Sequence, residues 1–427
     1  MEIMRSSITK DKDGYYVVRP PWREIPPHLP NNRNMVEGRF KGQERKFREN
    51  EQLFTEYKEA IESYISRGDA EIVPDNEPAP ERGGIYYLPH HHVRHPRKKT
   101  IRVVFDTASK TKGKCLSDYT YTGPDMLNSL IGVFLRFRTH ATVIMGDLEK
   151  FYHSVRIPPS DYNFYRFLWY REGKLGSDVA EFRMKIHAFG CNYSQCCCTL
   201  ALFDAIDQAV KAGELSQDEG EKIKKSFYAD DFLKGYPNTS EAVKSVLKLI
   251  EILQRSRFKL TKFVSNDAAF LDQIPIDRRA PDVADAVISN HIATTLGIEW
   301  ACESDEMLFR FEIPKEEVRT KRSLLSAVAQ CYDPAGLISF AIVPAKVLLQ
   351  DAFRRKLAWD DPLPQEMLDI IEKWIENLHR LKSVRIPRPY NMAHTSPIRS
   401  SQLHMFSDAS QDCYATMGYV RNEHEDG

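Results

Sequence analysis

The segment Ser226–Leu233, SFYADDFL, sets two adjacent carboxylates, Asp230 and Asp231, between apolar flanks. Its texture predicts a tight β-hairpin with the acids at the tip. Neighbouring carboxylates repel each other, and apolar strands beside them add a desolvation penalty. Folding alone gives no reason to keep such a pair except as a solvated turn. A divalent cation gives one, because its charge inverts the local balance. Upstream, Ala141–Tyr152, ATVIMGDLEKFY, is a β-type apolar run that delivers Asp147 at its end. A strand-end aspartate facing a twin-aspartate hairpin can hold two Mg2+ ions, which take hard oxygen ligands from one or two carboxylates plus substrate phosphates. Two such ions polarise an attacking 3′-hydroxyl and stabilise a leaving pyrophosphate.

The remaining chain has to supply a scaffold and a polyanion surface. Its 427 residues suit two or three domains, and 42% apolar residues exclude bulk disorder. Lys and Arg number 60, as do Asp and Glu, so a uniformly basic coat is absent and any nucleic-acid surface comes from local segregation. Residues 91–115 provide it: Arg94, Arg97, Lys98, Lys99, Arg102, Lys110, Lys112 and Lys114 stand against one acid, Asp106. Such a segment makes binding salt-dependent. No apolar run is long enough for a membrane span, and the N-terminus lacks the apolar core of a secretory signal. Eight cysteines, three of them consecutive at 196–198, read as reduced thiols of an intracellular protein, some buried as small apolar side chains. His90, His91, His92 and His95 lie in a Pro-bounded loop with no second ligand cluster and do not read as a metal site.

Residues 20–30, rich in proline, suggest a linker or extended arm. A helix is expected from about Gln43 to Arg67, with Phe54, Tyr57, Ile61 and Tyr64 on one face and Gly68 as its stop. The runs IYYL, IRVVF, ATVIM and FYRFLW read as strands. Met126–Arg138 reads as a buried helix, with further helices over Cys196–Val210, Ser240–Gln254 and within Lys321–Leu381; the tail from Gln402 is strand-like. Strands and helices without strict alternation argue for an α+β fold.

The motifs follow one another in a definite order. Arg102-Val103-Val104-Phe105-Asp106 resembles an Arg-x-Val-x-Asp strand, and Asp147 with Tyr152 five positions on resembles an Asp-x-x-x-x-Phe/Tyr box. Phe189 to Gln195 is similar to Gly-x-x-x-Ser-Pro, with Gly190 and Ser194 matching, and Tyr228-Ala229-Asp230-Asp231 resembles Tyr-x-Asp-Asp. Phe258 to Asn266 and Leu296-Gly297-Ile298-Glu299-Trp300 are similar to the boxes that come next. In this order the six resemble the reverse transcriptase family, and within it the Pao/BEL type of LTR retrotransposon polyprotein, a resemblance that spans about residues 40–420.

The resemblance implies a right-hand polymerase: α+β, with a ferredoxin-like palm, a helical thumb and connection, and a truncated RNase H-like start. Residues 1–84 would form an arm and helix, 85–265 fingers and palm, 266–400 thumb and connection, and 401–427 the RNase H-like segment. Asp147, Asp230 and Asp231 would be catalytic, with the Leu148 carbonyl as a further ligand of two Mg2+ ions, replaceable by Mn2+. Arg102, Asp106, Tyr152, Gly190, Ser194 and Lys262 would surround the nucleotide, the Tyr152 ring excluding a 2′-hydroxyl. Arg94, Arg97, Lys98, Lys99 and the Leu296, Gly297 and Trp300 hairpin would contact nucleic acid. Arg322–Trp359 is similar to the family's Pao peptidase region but carries no acid pair or nucleophile for proteolysis, and Asp106-Thr107-Ala108 lacks the glycine of an aspartic protease.

Three features depart from the family pattern: Gln195 in place of proline, Ser256-Arg257 in place of Gly-Gly, and the Cys196-Cys197-Cys198 run. Asp408 matches the first metal aspartate of a ribonuclease H, whose other carboxylates are missing, so no ribonuclease H activity is expected. The leading expectation is an RNA- and DNA-directed DNA polymerase acting on primed template and dNTPs. It would be cytoplasmic, within virus-like particles or with nuclear access, and would work beside other parts of the polyprotein. The alternative is a decayed or co-opted fragment that binds nucleic acid without catalysis; a metal-dependent nuclease explains neither Tyr152 nor Arg102.

Overall fold

The strand predicted from the ATVIM run spans Thr142–Glu149, and its apolar residues Val143, Ile144, Met145 and Leu148 are all buried. In the computed structural model, residues 2–426 are described except 26, 79, 81–83, 95–99, 284–290, 310–317, 391–395 and 397. They fall into two compact units: Met1–Asn128, Asp147–Asp230 and Val246–Thr261 in the first, Ser129–Gly146, Asp231–Ser245 and Lys262–Gly427 in the second.

The core of the first unit is aromatic. A three-stranded antiparallel sheet has Val179–Met184 between Ala70–Ile72 and Arg166–Tyr170. Every residue of Arg166–Tyr170 is buried, which is why FLW reads as an unbroken apolar run. Trp169 stacks on Tyr57 with ring centroids 5.5 Å apart, and Phe47 meets Trp169 edge-on at 6.1 Å. The expected helix over 43–67 is in fact two, Arg33–Glu49 and Glu51–Ser66. Asn50 divides them: its extended backbone ends the first, and its side chain accepts from the Leu53 N–H at 2.9 Å to cap the second. Gly68, with φ 73°, stops the second helix as expected. The strand Ile101–Phe105 forms a hairpin with His90–Arg94. IYYL makes only an isolated bridge, Tyr87 to Arg166.

The proline-rich residues 20–30 are not a free linker. Trp22 is buried edge-on to Phe164 at 5.3 Å, and its indole N–H donates to Asp161 at 2.9 Å. Further upstream, Thr9–Lys10 and Tyr16–Val17 join Val155–Arg156 in a small sheet. This arm supports the departure at 256–257. Lys10 Nζ donates to the Ser256 hydroxyl at 3.0 Å, and Arg257 donates from Nε to the Asp13 carbonyl at 2.7 Å. Arg257 stands at φ 61°, a conformation that glycine adopts without strain.

In the second unit the helix expected over 126–138 is shorter, Leu130–Phe137, and only one face is covered. Val133, Phe134 and Phe137 are buried, while Ile131 and Leu135 are exposed. An antiparallel sheet runs Ile292–Thr295, Ile298–Ala301, Glu306–Leu308, Arg385–Pro387. Helices Lys321–Gln330, Ser339–Arg354 and Gln365–Leu381 close on a core that includes Leu324, Ala345, Ala352, Met367, Ile371 and Trp374. The tail forms a long hairpin, Ile398–Ala409 with Tyr414–His424. Leu403, Phe406 and Tyr414 on it are exposed, and so is Asp408.

Candidate active site

Asp147 and Asp230 come together through their backbones. The Leu148 N–H, next to Asp147, donates to the Asp230 carbonyl at 2.8 Å. Asp230 follows Ala229 in the two-residue connection between Phe227–Tyr228 and Asp231–Tyr236, so the twin acids occupy the expected turn and strand start. All three aspartates are half-buried. Ala229 stands at φ 54° and Lys150 at φ 53°. Left-handed backbone costs a residue with a Cβ roughly 1–2 kcal/mol. Strain of this kind collects at functional sites, and here it flanks both acids of the first unit. Among the described residues no group of three or more His, Cys, Asp or Glu side chains is arranged to hold a metal ion. The two segments linked by that backbone bond carry the carboxylates Asp147 and Asp230, and a Mg2+ ion that shares its shell with substrate phosphates needs only one or two from protein. The donor chemistry therefore fits such an ion.

Tyr152 lies in the 3-10 turn Phe151–Ser154, directly after the strand that carries Asp147. Its ring meets Phe189 edge-on at 4.7 Å, and its hydroxyl donates to Gln195 Oε1 at 2.5 Å. Burial pushes that hydroxyl up to about 12, with the nearby Cys198 and Asp230 acting in the same direction. Gln195 in turn donates from Nε2 to the Thr199 hydroxyl at 3.0 Å. The residue that reads in the sequence only as a missing proline is thus the partner of Tyr152.

Two residues of the 189–195 segment serve the fold. A Cβ on Gly190, at φ 110°, would stand 2.1 Å from the Phe105 carbonyl oxygen, so its lack of a side chain permits the close approach of the strand Ile101–Phe105. Ser194 is 2% exposed and donates to the Ala188 carbonyl at 3.1 Å, so its hydroxyl is engaged within the loop. The three consecutive cysteines are buried in the helix Ser194–Lys211 as small apolar side chains, and burial raises their thiols.

Of the remaining expected residues, Arg102 is exposed on Ile101–Phe105. Asp106 is paired with Arg39 at 2.7 Å, and Arg94 with Glu56 at 2.9 Å. Arg97, Lys98 and Lys99 lie outside the described residues. In the second unit Lys262 is exposed at φ 53° within the strand Lys259–Ser265. The Leu296–Gly297 hairpin forms as expected: both residues have positive φ, 48° and 79°, the signature of a type I′ turn. Trp300 does not face outward with it. It is 1% exposed, edge-on to Phe137 at 5.4 Å, and donates to Asp305 at 2.9 Å. Behind it sits a residue the motifs give no hint of, Arg388. Fully buried, it forks onto Asp305 at 2.6 and 2.7 Å and donates to the Phe137 carbonyl, the last of the helix Leu130–Phe137, and to the His140 and Ala141 carbonyls beyond it.

Residues 320–427 match the family described as Pao retrotransposon-like RNaseH-like domain. Among solved structures, the chain is similar to a foamy viral protease-reverse transcriptase (dRH) in complex with double-stranded DNA, with a TM-score of 0.53 and 15% identity over 86% of this chain and 52% of that one. It is also similar to a foamy viral protease-reverse transcriptase in complex with an RNA/DNA hybrid, with a TM-score of 0.51 and 16% identity over 86% of this chain and 40% of that one. This chain thus spans about half of those chains or less. No curated protein matches it. The fold is a mixed α/β one resembling a retroviral reverse transcriptase. Together with the Pao match, this bears out the resemblance to a retroelement polyprotein region read from the motifs.

Proposed function

We propose that the chain is an RNA- and DNA-directed DNA polymerase with fingers, palm and thumb, extending a primer by nucleotidyl transfer. The observation that carries this reading is the backbone hydrogen bond from Leu148 to Asp230, which holds two aspartates, distant in sequence, at one place. In the proposed site Asp147, Asp230, Asp231 and the Leu148 carbonyl take up Mg2+ together with the phosphates of a dNTP. When bound, the ions activate the primer 3′-hydroxyl and offset charge on the departing pyrophosphate. The primer O3′ gives up its proton to solvent water, and the new bond joins it to the α-phosphorus as the bond from that phosphorus to pyrophosphate breaks. Arg102 offers its exposed guanidinium fork to the triphosphate, and Lys262 adds charge there. Tyr152 forms the wall under the sugar. Arg94, Arg97, Lys98 and Lys99 hold template phosphates, and the Leu296–Gly297 turn touches the primer. The similar foamy viral proteins were solved on duplex DNA and on an RNA/DNA hybrid, which supports primed nucleic acid as the partner. Purified protein given primed poly(rA), dTTP and Mg2+ should extend the primer, and Asp230→Asn should abolish extension. Equal extension by the variant would refute the assignment.

A second reading is a nucleic-acid-binding fragment without catalysis. It is favoured by the lack, among the described residues, of a preformed three-ligand group. Duplex binding with no incorporation in either Mg2+ or Mn2+ would select it.

A further inference from the structure

Resting on the polymerase reading, we propose that Gln195 is a positioning residue for sugar discrimination: it holds the Tyr152 ring as a fixed wall through the hydrogen-bonded series Tyr152–Gln195–Thr199. The Tyr152 hydroxyl donates to Gln195 Oε1 at 2.5 Å, and Gln195 Nε2 donates to the Thr199 hydroxyl at 3.0 Å. Thr199 is buried in the same helix one turn on, so the amide is anchored at its far end. The ring is held from a second side by Phe189 at 4.7 Å and from a third by Phe151 at 5.7 Å. A steric wall discriminates only as far as it stays in place, because a ring that can rotate or withdraw admits the larger sugar. Phe189 and Phe151 bear on the ring itself, and the bond from its hydroxyl to Gln195 fixes the far end, so the ring does not swing about its Cα–Cβ bond.

The pairing is specific to this chain's chemistry. A proline at 195 has no side-chain acceptor to offer and would leave the half-buried Tyr152 hydroxyl unmatched; a phenylalanine at 152 would leave the Gln195 amide oxygen unmatched. Gln195 occupies the first turn of Ser194–Lys211, where proline is compatible with the helix. The glutamine is therefore not a requirement of the backbone.

Two measurements test the proposal. First, in a thermal double-mutant cycle of Tyr152→Phe and Gln195→Leu, the double variant should lose no more melting temperature than the worse single variant. Strict additivity would overturn the proposal whatever the enzyme does. Second, the ratio of kcat/KM for dTTP over UTP on primed poly(rA) should fall about tenfold in Gln195→Leu and in Gln195→Pro, a single hydrogen bond's worth of positioning. Gln195→Glu, which keeps an acceptor at the same reach, should recover most of it. A role confined to folding would lower both nucleotides alike, and an unchanged ratio in a coupled pair would overturn the proposal while leaving the polymerase reading intact. A wild type that incorporates neither nucleotide would overturn both.

Discussion

Imidazoles buried without a counter-charge make folding depend on pH. His90 and His187 are fully buried in the first unit, and desolvation lowers each to about 4. His187 keeps Nε2 on the Val18 carbonyl at 3.0 Å, while Nδ1 has no partner among the described residues and would have nowhere to place a second proton. The unfolded chain binds protons near 6.5, so between there and 4 it holds more of them than the folded one. Stability is then complete above about 6.5 and is lost as pH falls toward 4, by about 2 kcal/mol per histidine at pH 5. Urea midpoints should drop steeply from pH 7.5 to 5, and His187→Gln should flatten the slope. An unchanged slope would show that the imidazole is not held neutral by the fold. At this scale the sequence reveals residue types better than residue partners. Tyr152 was legible because it sits five positions from Asp147 on one local segment. Its bond to Gln195 was not, since the two lie 43 positions apart and a missing proline says nothing about what the replacement touches. The partners of Trp300 and Ser194 were hidden for the same reason: their polar atoms are engaged inside the fold, on Asp305 and on the Ala188 carbonyl.

Elements were legible where one local signal decides them and obscure where tertiary contact does. The strand Thr142–Glu149 and the helices Ser194–Lys211 and Thr239–Gln254 follow from apolar pattern alone. The break at Asn50 hides within continuous helical periodicity, because a cap is one side chain. The helix Leu130–Phe137 looked buried all round because apolar composition cannot say which face is covered. Its last carbonyl, that of Phe137, accepts from Arg388, some 250 residues later, a pairing no local pattern could announce. The hairpin turn gives a prediction at this scale. Gly297 is required, since a Cβ there would lie 2.4 Å from the Tyr332 ring. Leu296 is the strained partner, a branched apolar side chain at φ 48° where asparagine is the favoured residue. Leu296→Asn should therefore raise stability by up to about 1 kcal/mol. If the side chain meets the primer, the same change should weaken primer–template binding. A gain in melting temperature with unchanged affinity would show that the leucine has no part in binding.

At the scale of the whole molecule, zero net charge and nucleic-acid binding are compatible only if the cations are segregated. Lys110, Lys112 and Lys114 are exposed, the last two in a turn closed by the Thr111–Lys114 bridge. Lys112 and Lys114 line an open basin with His28, Leu29, Pro30 and Tyr119. Several other basic side chains are already neutralised: Arg39 on Asp106, Arg156 on Asp11, and Arg166 and Arg183 on Glu77. The lysines of the turn thus contribute more to the outward potential than their share of the composition suggests. Each phosphate neutralised by a cation releases condensed counterions, so the salt dependence of affinity counts the contacts, with a slope of about −0.9 per contact on duplex. Lys112→Gln with Lys114→Gln should reduce the slope of log K against log salt by about 2 and weaken binding evenly across template sequences. The matching change of Arg39→Gln, which removes a cation already paired, should leave the slope nearly unaltered. If the lysine pair left the slope unchanged, the basic segment would be a solvated loop and the contacts to phosphate would lie elsewhere on the chain.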